Sequence, residues 1–285
     1  MQKYTNDDRR ILNNPAQPLV TAYIPTRNRV DSLERAINSV LEQTWGSIEI
    51  IVVDDASDDA TDDLLKKFSA DHSIRVIRNT RSLGAAACRN LAIQQATGEF
   101  VSGLDDDDFW RPKRIEMLME AFEEGYAGVC SNDRLDFGDR EIVWKKRAVI
   151  TLEDLLFYNQ VGNQILTKRE TILKAGGYDE FLTSAQDYDL WIRLAHDFGP
   201  FKNVAQTLQV VNMAPERESI TTAETKLEGY FACFEKHVGK MNADQKKYQH
   251  YRLKLAAGKK VSWAEMFRSV PASLLIKEIT RKLFF

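Results

Sequence analysis

Apolar, β-branched stretches recur along the N-terminal part of the chain: Leu19-Val-Thr-Ala-Tyr-Ile24, Ile48-Glu-Ile-Ile-Val-Val53, Ile74-Arg-Val-Ile77 and Glu99-Phe-Val-Ser-Gly-Leu104. Their starts at 19, 48, 74 and 99 lie about 25 to 30 residues apart, which leaves room for one helix between neighbours. Asp31 to Leu41 sets Leu33, Ile37, Val40 and Leu41 on one helical stripe, and Asp31 with Glu34 has the spacing of a capping box. Asp62 to Phe68 and Leu83 to Ala96 carry the same period. Strands alternating with helices predict an α/β fold, a mostly parallel Rossmann-like sheet flanked by helices. Right-handed crossovers then bring every strand's C-terminal end to one rim, where open sheets of this kind bind ligands.

The residues delivered to that rim change the picture. The first strand runs into Pro25-Thr-Arg-Asn-Arg29, the second into Asp54-Asp-Ala-Ser-Asp58, the fourth into Asp105-Asp-Asp-Asp108. No Gly-x-Gly-x-x-Gly follows the first strand, and no Gly-Lys-Ser/Thr loop occurs, which disfavours the common nucleotide folds. A merely solvated run of acids would lack the apolar lead-in of Glu99 to Leu104. Crowded carboxylates repel one another unless a cation joins them. Hard oxygen donors suit Mn²⁺ or Mg²⁺, usually shared with a phosphate-bearing substrate. The rim therefore predicts a divalent metal and a diphosphate.

Composition narrows the class further. Of 285 residues, 44% are hydrophobic and 28% charged, as in globular proteins. Met1 to Arg10 contains no apolar signal region, and no run nears the roughly 20 apolar residues of a membrane span. A cytoplasmic protein is expected. Cys88, Cys130 and Cys233 have no metal spacing and read as buried thiols. His72, His196, His237 and His250 read as structural or exposed rather than as metal ligands. The net charge of −3 conceals an asymmetry: from Lys236 onward 12 Lys and Arg face only Asp244, Glu265 and Glu278, a balance of +9 against −12 elsewhere. The acidic body excludes a nucleic-acid binder, while the tail suits an anionic surface. On a helix after Pro271, Leu275, Ile276, Ile279 and Leu283 form an apolar strip beside Lys277, Arg281 and Lys282. That composition fits an interfacial helix lying on an anionic membrane. It equally fits a tail whose Trp263, Phe267 and apolar strip pack back on the core.

Taken in order, Val20 to Arg29, Glu49 to Thr61, Asn79 through Gly84 to Arg89-Asn90, Gly98-Glu-Phe100 and Leu104 to Asp108 resemble the motifs of glycosyltransferase family 2. Gly176-Gly-Tyr-Asp-Glu180 and Gln186-Asp-Tyr-Asp-Leu-Trp-Ile-Arg193 are similar to its acceptor-side motifs. The resemblance runs from about Leu19 to about Val211. It implies a GT-A fold, a nucleotide-sugar donor and inversion at the anomeric carbon, with a hexosyl unit passing to a hydroxyl of a saccharide or lipid-linked acceptor. Bacterial surface polysaccharide or lipopolysaccharide synthesis is the setting it suggests. The implied organisation is an N-terminal extension to residue 17, a GT-A domain over 18–212 and a basic helical C-terminal appendage over 213–285.

Position by position, Pro25, Thr26 and Arg27 resemble the loop packing on the nucleotide, and Asp55 the acceptor of the uracil N3–H. Arg89 and Asn90 match a basic-polar pair beneath the donor. Asp105 and Asp107 match the metal-binding aspartates of the Asp-x-Asp motif, and Asp106 the central residue that reaches the ribose. With all three acidic, the motif leaves the division of labour among them open. Asp108 reads as a cap for the segment opening with Trp110, Asp54 as a structural acid, and Asp187 as the catalytic base. Donor choice is expected from loops around Ser131 to Asp136 and Asn163. Gln186 replaces the Glu usual before the base, and Asn212 to Thr221 lacks a His found in relatives. The Gln-x-x-Arg-Trp motif of processive synthases is absent. Two rival readings are a silent nucleotide-sugar binding module, which has no need of Asp187, and a nucleotidyltransferase, whose first loop would be glycine-rich.

Overall fold

The structure, a computed structural model, describes residues 17–69, 71, 73–214 and 223–284. Its N-terminal half follows the expected alternation: β1 (Val20–Thr26), α1 (Val30–Leu41), β2 (Ile48–Asp54), α2 (Thr61–Phe68), β3 (Ile74–Arg78), α3 (Ala85–Gln95) and β4 (Phe100–Gly103). Then come β5 (Phe109–Trp110), α4 (Arg114–Ala121), β6 (Gly128–Asp136), β7 (Glu141–Trp144), β8 (Val149–Ile150) and α5 (Leu152–Leu155). β9 (Leu166–Lys168), α6 (Arg169–Lys174), α7 (Gln186–Phe198) and β10 (Phe201–Asn212) complete the sheet region. Helices α8 (Ala223–His237), α9 (Ala243–Ala256), α10 (Trp263–Ser269) and α11 (Ala272–Phe284) follow.

Strand order is β3-β2-β1-β4-β9-β6-β10-β5, with β7 on β6 and β8 on β10. The β3-β2-β1-β4 half is parallel, as its crossover helices require. Beyond β4 the sheet is mixed, because β9 pairs antiparallel with both β4 and β6. The period of two sorts the core. Val20, Ala22, Ile24, Ile50 and Val52 face one helical layer with Leu33, Ile37 and Val40, while Tyr23, Ile51 and Val53 face another with Ala92, Ile93 and Trp191. All three cysteines are buried and unpaired, as expected.

Several local expectations change. α1 opens at Val30 with no side-chain cap, so Asp31 and Glu34 form no capping box. The turn is made instead by Asn28 in the left-handed region (φ 54), and Asp31 lies inside the first turn. Ser131 to Asp136 is strand β6, not a loop. In the tail, Leu275 and Ile279 pack on Tyr248, Tyr251, Val261 and Met266, so the apolar strip is divided: Ile276 and Leu283 stay 82% and 61% exposed. Arg281 turns to Glu278 and Lys282 to the Val261 carbonyl, so these cations make internal contacts. Among the described residues no helix is long and apolar enough to cross a membrane. His72 and the stretch 215–222 lie outside the described residues.

Candidate active site

Nine residues singled out from the motifs meet in one cleft of about 510 Å³: Pro25, Thr26, Arg27, Asp55, Arg89, Asp105, Asp106, Asp107 and Asp187 all line it, whereas Asn90 lines a second cleft. Strand ends supply the acids, and the start of α7 supplies Asp187 from the opposite wall. The second cleft, of about 660 Å³, lies along the Gly176–Phe181 turn and contains none of the strand-end acids.

Asp55 is a four-donor carboxylate. Asn79 Nδ2 (2.8 Å) and the Leu83 N–H (2.8 Å) donate to Oδ1, and Ser82 Oγ (2.7 Å) and the Gly84 N–H (2.9 Å) to Oδ2. Burial raises its pKa, but these donors outweigh it and hold the carboxyl below the usual carboxylate range. Asp55 thereby shapes the 79–84 loop that floors the cleft. Arg27 is exposed and donates to Ser82 Oγ at 2.9 Å.

The acidic run divides by environment. Asp105 accepts from Arg89 Nη2 (2.7 Å) and Asn163 Nδ2 (2.9 Å), and its side chain is 25% exposed. Arg29 Nη1 bridges Asp106 (3.1 Å) and Asp107 (2.6 Å), both buried. Burial pushes Asp106 up to about 6, against the pull of Arg29. Asp108 caps nothing at Trp110. It accepts from the Asn212 N–H, Asn163 and Gln164, and burial beside Asp105 and Asp107 raises its pKa well above the ordinary value. The reason is tertiary: strand β10 passes close enough for its Asn212 amide to claim the carboxylate. Asp54 is structural as expected, its Oδ1 accepting from the Ser57 N–H.

Arg89 joins the two walls. Besides Asp105 it donates to Gln186 Oε1 at 3.2 Å, and its guanidinium lies 5.4 Å from the Tyr178 ring centroid. Gln186 also donates to the Leu182 carbonyl (2.7 Å), so the amide that replaces the usual Glu ties the entry loop of α7. Asp187 stands in the first turn of α7, where free backbone N–H groups stabilise negative charge. Burial dominates and pushes its pKa up to about 6, with the Tyr188 N–H and Arg89 pulling down. In the Gly176–Glu180 turn, Gly177 (φ +73) sits where a Cβ would stand 2.6 Å from Asn90 Oδ1, and Asn90 donates to the Tyr178 carbonyl and Glu180.

Sequence reasoning missed Arg29 as a partner of the acids and Asn159 as a partner of Asp187. Arg29 had a signal, being a second cation in the Pro25–Arg29 loop, whereas nothing local marked Asn159. Among the described residues no three His, Cys, Asp or Glu side chains converge as a ready-made metal site. The donor chemistry of Asp105 and Asp107 does fit a hard divalent ion, because their oxygens border the cleft and diphosphate could complete the shell. His196, His237 and His250 are structural or exposed, as expected.

Comparison with known proteins agrees with this geometry. The sequence profile of Glycosyl transferase family 2 matches residues 21–180. An Escherichia coli (strain K12) protein named for glycosyl transfer in colanic acid biosynthesis, WcaA, is 34% identical over 258 residues, spanning 86% of this chain and 91% of that protein. The fold is similar to that of S. aureus TarS 1-349 in complex with UDP-GlcNAc, with TM-score 0.67, 18% identity, 90% of this chain and 77% of that one covered. It is also similar to mannosyltransferase PcManGT from Pyrobaculum calidifontis in complex with GDP-Man and Mn²⁺, with TM-score 0.65, 20% identity and coverage of 94% and 81%. The chain belongs to glycosyltransferase family 2, a family of inverting GT-A enzymes.

Proposed function

We propose that this glycosyltransferase moves a hexosyl unit from a UDP-sugar to an acceptor hydroxyl during assembly of a surface polysaccharide. The observation that carries the reading is the meeting of Asp105, Asp106 and Asp107 with Asp187 across one cleft. Diphosphate chemistry belongs at the strand-end acids, and proton removal from the acceptor belongs at Asp187. A half-buried carboxylate with its pKa raised to about 6 is still ionised at neutral pH and is a better base than an ordinary one. Attack from the face opposite the leaving diphosphate inverts the anomeric centre through an oxocarbenium-like state.

Pro25, Thr26, Arg27 and Arg89 border the nucleotide, and Asp106 the ribose. Asp55 would take the base imide N–H. Of its four donors the Ser82 hydroxyl can most readily turn away to admit it. Asp105 and Asp107 would hold Mn²⁺ or Mg²⁺ together with diphosphate oxygens, Arg29 giving up part of its hold on Asp107. A divalent ion there would stabilise charge on the leaving diphosphate. The colanic acid name of the similar E. coli protein supports the polysaccharide setting.

The domain division follows the same reading: the GT-A domain over 18–212 does the chemistry, and the appendage over 213–285 brings it to a lipid-linked acceptor on the inner face of the cytoplasmic membrane. Support comes from the +9 tail and from exposed Trp263, Phe267, Ile276 and Leu283. The decisive experiment incubates the protein with a panel of nucleotide sugars and acceptors, with and without Mn²⁺, and follows nucleoside diphosphate against pyrophosphate. Release of diphosphate with a glycosylated product of inverted configuration is expected. Pyrophosphate release would transfer the assignment to nucleotidyl transfer, and nucleotide-sugar binding without turnover to a binding module.

A further inference from the structure

The turn from Asn159 to Gln164 belongs to none of the strand-end motifs, yet it touches both walls of the cleft. Asn159 Nδ2 donates to Asp187 Oδ2 at 3.2 Å and to the Gly162 carbonyl at 3.0 Å. Its Oδ1 accepts from the Val161 N–H (3.1 Å) and the Gly162 N–H (3.0 Å). Only one of the amide's two orientations satisfies all four bonds, so the turn itself aims the N–H at Asp187. Asn163 is locked in the same way. Gln209 Nε2 donates to its Oδ1 (2.8 Å), leaving Nδ2 to donate to Asp105 Oδ2 (2.9 Å) and Asp108 Oδ2 (2.8 Å).

The turn is braced from behind. Lys146, its side chain 1% exposed, pairs with Asp133 at 2.7 Å and donates to the Val161 carbonyl at 2.7 Å. Trp191 Nε1 donates to the Gly162 carbonyl at 2.8 Å. Gly162 has φ +96, and a Cβ there would stand 2.9 Å from Lys146 Nζ and 3.0 Å from Asp133 Oδ2. Only glycine lets the turn close on this buried pair. Burying a Lys and an Asp is costly in itself. Here the pair fixes the height of a turn whose two amides face the reacting groups.

We infer that Asn159 and Asn163 are positioning residues for the transfer, holding Asp187 and Asp105 in register across the cleft from one rigid turn. This rests on the reading of Asp187 as base. The other charged or titratable groups facing Asp187 are Arg89, Asp105, Tyr178, Tyr230 and Cys233. Asn159 adds a neutral donor that favours the carboxylate form. Its removal therefore shifts the acid limb of the kcat profile to higher pH.

The test compares Asn159→Ala, Asn159→Asp and Asn163→Ala with the wild type and with Asp187→Asn, measuring kcat against pH, donor KM and Tm. Asn159→Ala should raise the acid limb by about half a pH unit, the equivalent of one modest hydrogen bond, with donor KM unchanged. Asn159→Asp should raise it further, because a like charge then faces the base. A structural role would not produce that order. Asn163→Ala should raise donor KM about ten-fold with the acid limb in place. An unmoved limb in both Asn159 variants, beside an inactive Asp187→Asn, overturns the inference and leaves the base reading standing. If the Asn159 variants do not fold, Asn163→Ala decides: a wild-type donor KM overturns the inference. Near-normal turnover by Asp187→Asn would instead remove the base reading itself, and the donor-side test of Asn163 would remain valid.

Discussion

Arg29 Nη1 lies 2.6 Å from the carboxylate of Asp107 and reaches Asp106 as well, so a guanidinium stands beside the strand-end acids. Charge that the sequence reading assigns to a metal is already partly balanced by Arg29. Arg29→Ala leaves two buried carboxylates without this partner, and breaking a buried pair costs about 3–5 kcal/mol. The variant should melt well below the wild type in EDTA and gain more from Mn²⁺ than the wild type does. Thermal shift with and without Mn²⁺ measures this, and equal gains would count against a metal at Asp107.

Asp107→Ala tests the same carboxylate from the other side. It should keep the fold but lose turnover and metal-dependent UDP binding, because Asp105 and diphosphate alone leave the ion's shell short of ligands. Calorimetric titration of UDP in the presence of Mn²⁺ reads the binding directly. Full activity in EDTA would be incompatible with the metal.

Asp187→Asn should bind UDP normally and transfer about 10²–10⁴ times more slowly, the usual cost of losing a general base. In the wild type, a base whose pKa is raised to about 6 is protonated below that pH, so the rate should climb through pH 6. Asp106 is also pushed up to about 6 and could produce the same limb. Asp106→Asn separates them: if Asp187 carries the limb, the residual activity keeps it.

Asp189 should govern stability rather than chemistry. Wholly buried, it accepts from Arg193 (2.7 Å) and His237 (2.8 Å) and pairs with Lys236 (2.9 Å), joining α7 to α8. Burial alone would raise its pKa, but these partners hold it well below the usual range. A depressed carboxyl stabilises the fold above its unfolded value, near 4, and that contribution fades as pH falls toward the folded value. Asp189→Asn should therefore cost about 3–5 kcal/mol at pH 7 and less below pH 4. Urea unfolding at both pH values gives the difference.

The exposed aromatic pair Trp263 and Phe267, stacked at 6.2 Å, offers a direct test of membrane docking. Trp263→Gln with Phe267→Gln spares Val261, Met266 and Val270, which hold the tail together. Wild-type protein should sediment with anionic liposomes at low salt and release as salt rises, and the double variant should bind much less. No sedimentation of the wild type would make the tail structural.

The order of strands and helices around the N-terminal sheet was legible because burial on alternate faces imposes a period of two, and packing of one helical stripe imposes 3.6. The strand-end acids were legible because motif and strand coincide in the sequence: Asp55 and Asp105 to Asp107 each follow an apolar run directly. Arg29 meeting Asp107, Asn159 meeting Asp187 and Asn163 meeting Asp105 were not, since these partners lie 78, 28 and 58 residues apart in the chain. No local periodicity encodes such pairs. They exist only once β1, β4 and the 159–164 turn are brought to one rim by the sheet. The tail shows the same division: its amphipathic composition is written in the sequence, but which apolar side chains face inward was decided by the tyrosines of α9.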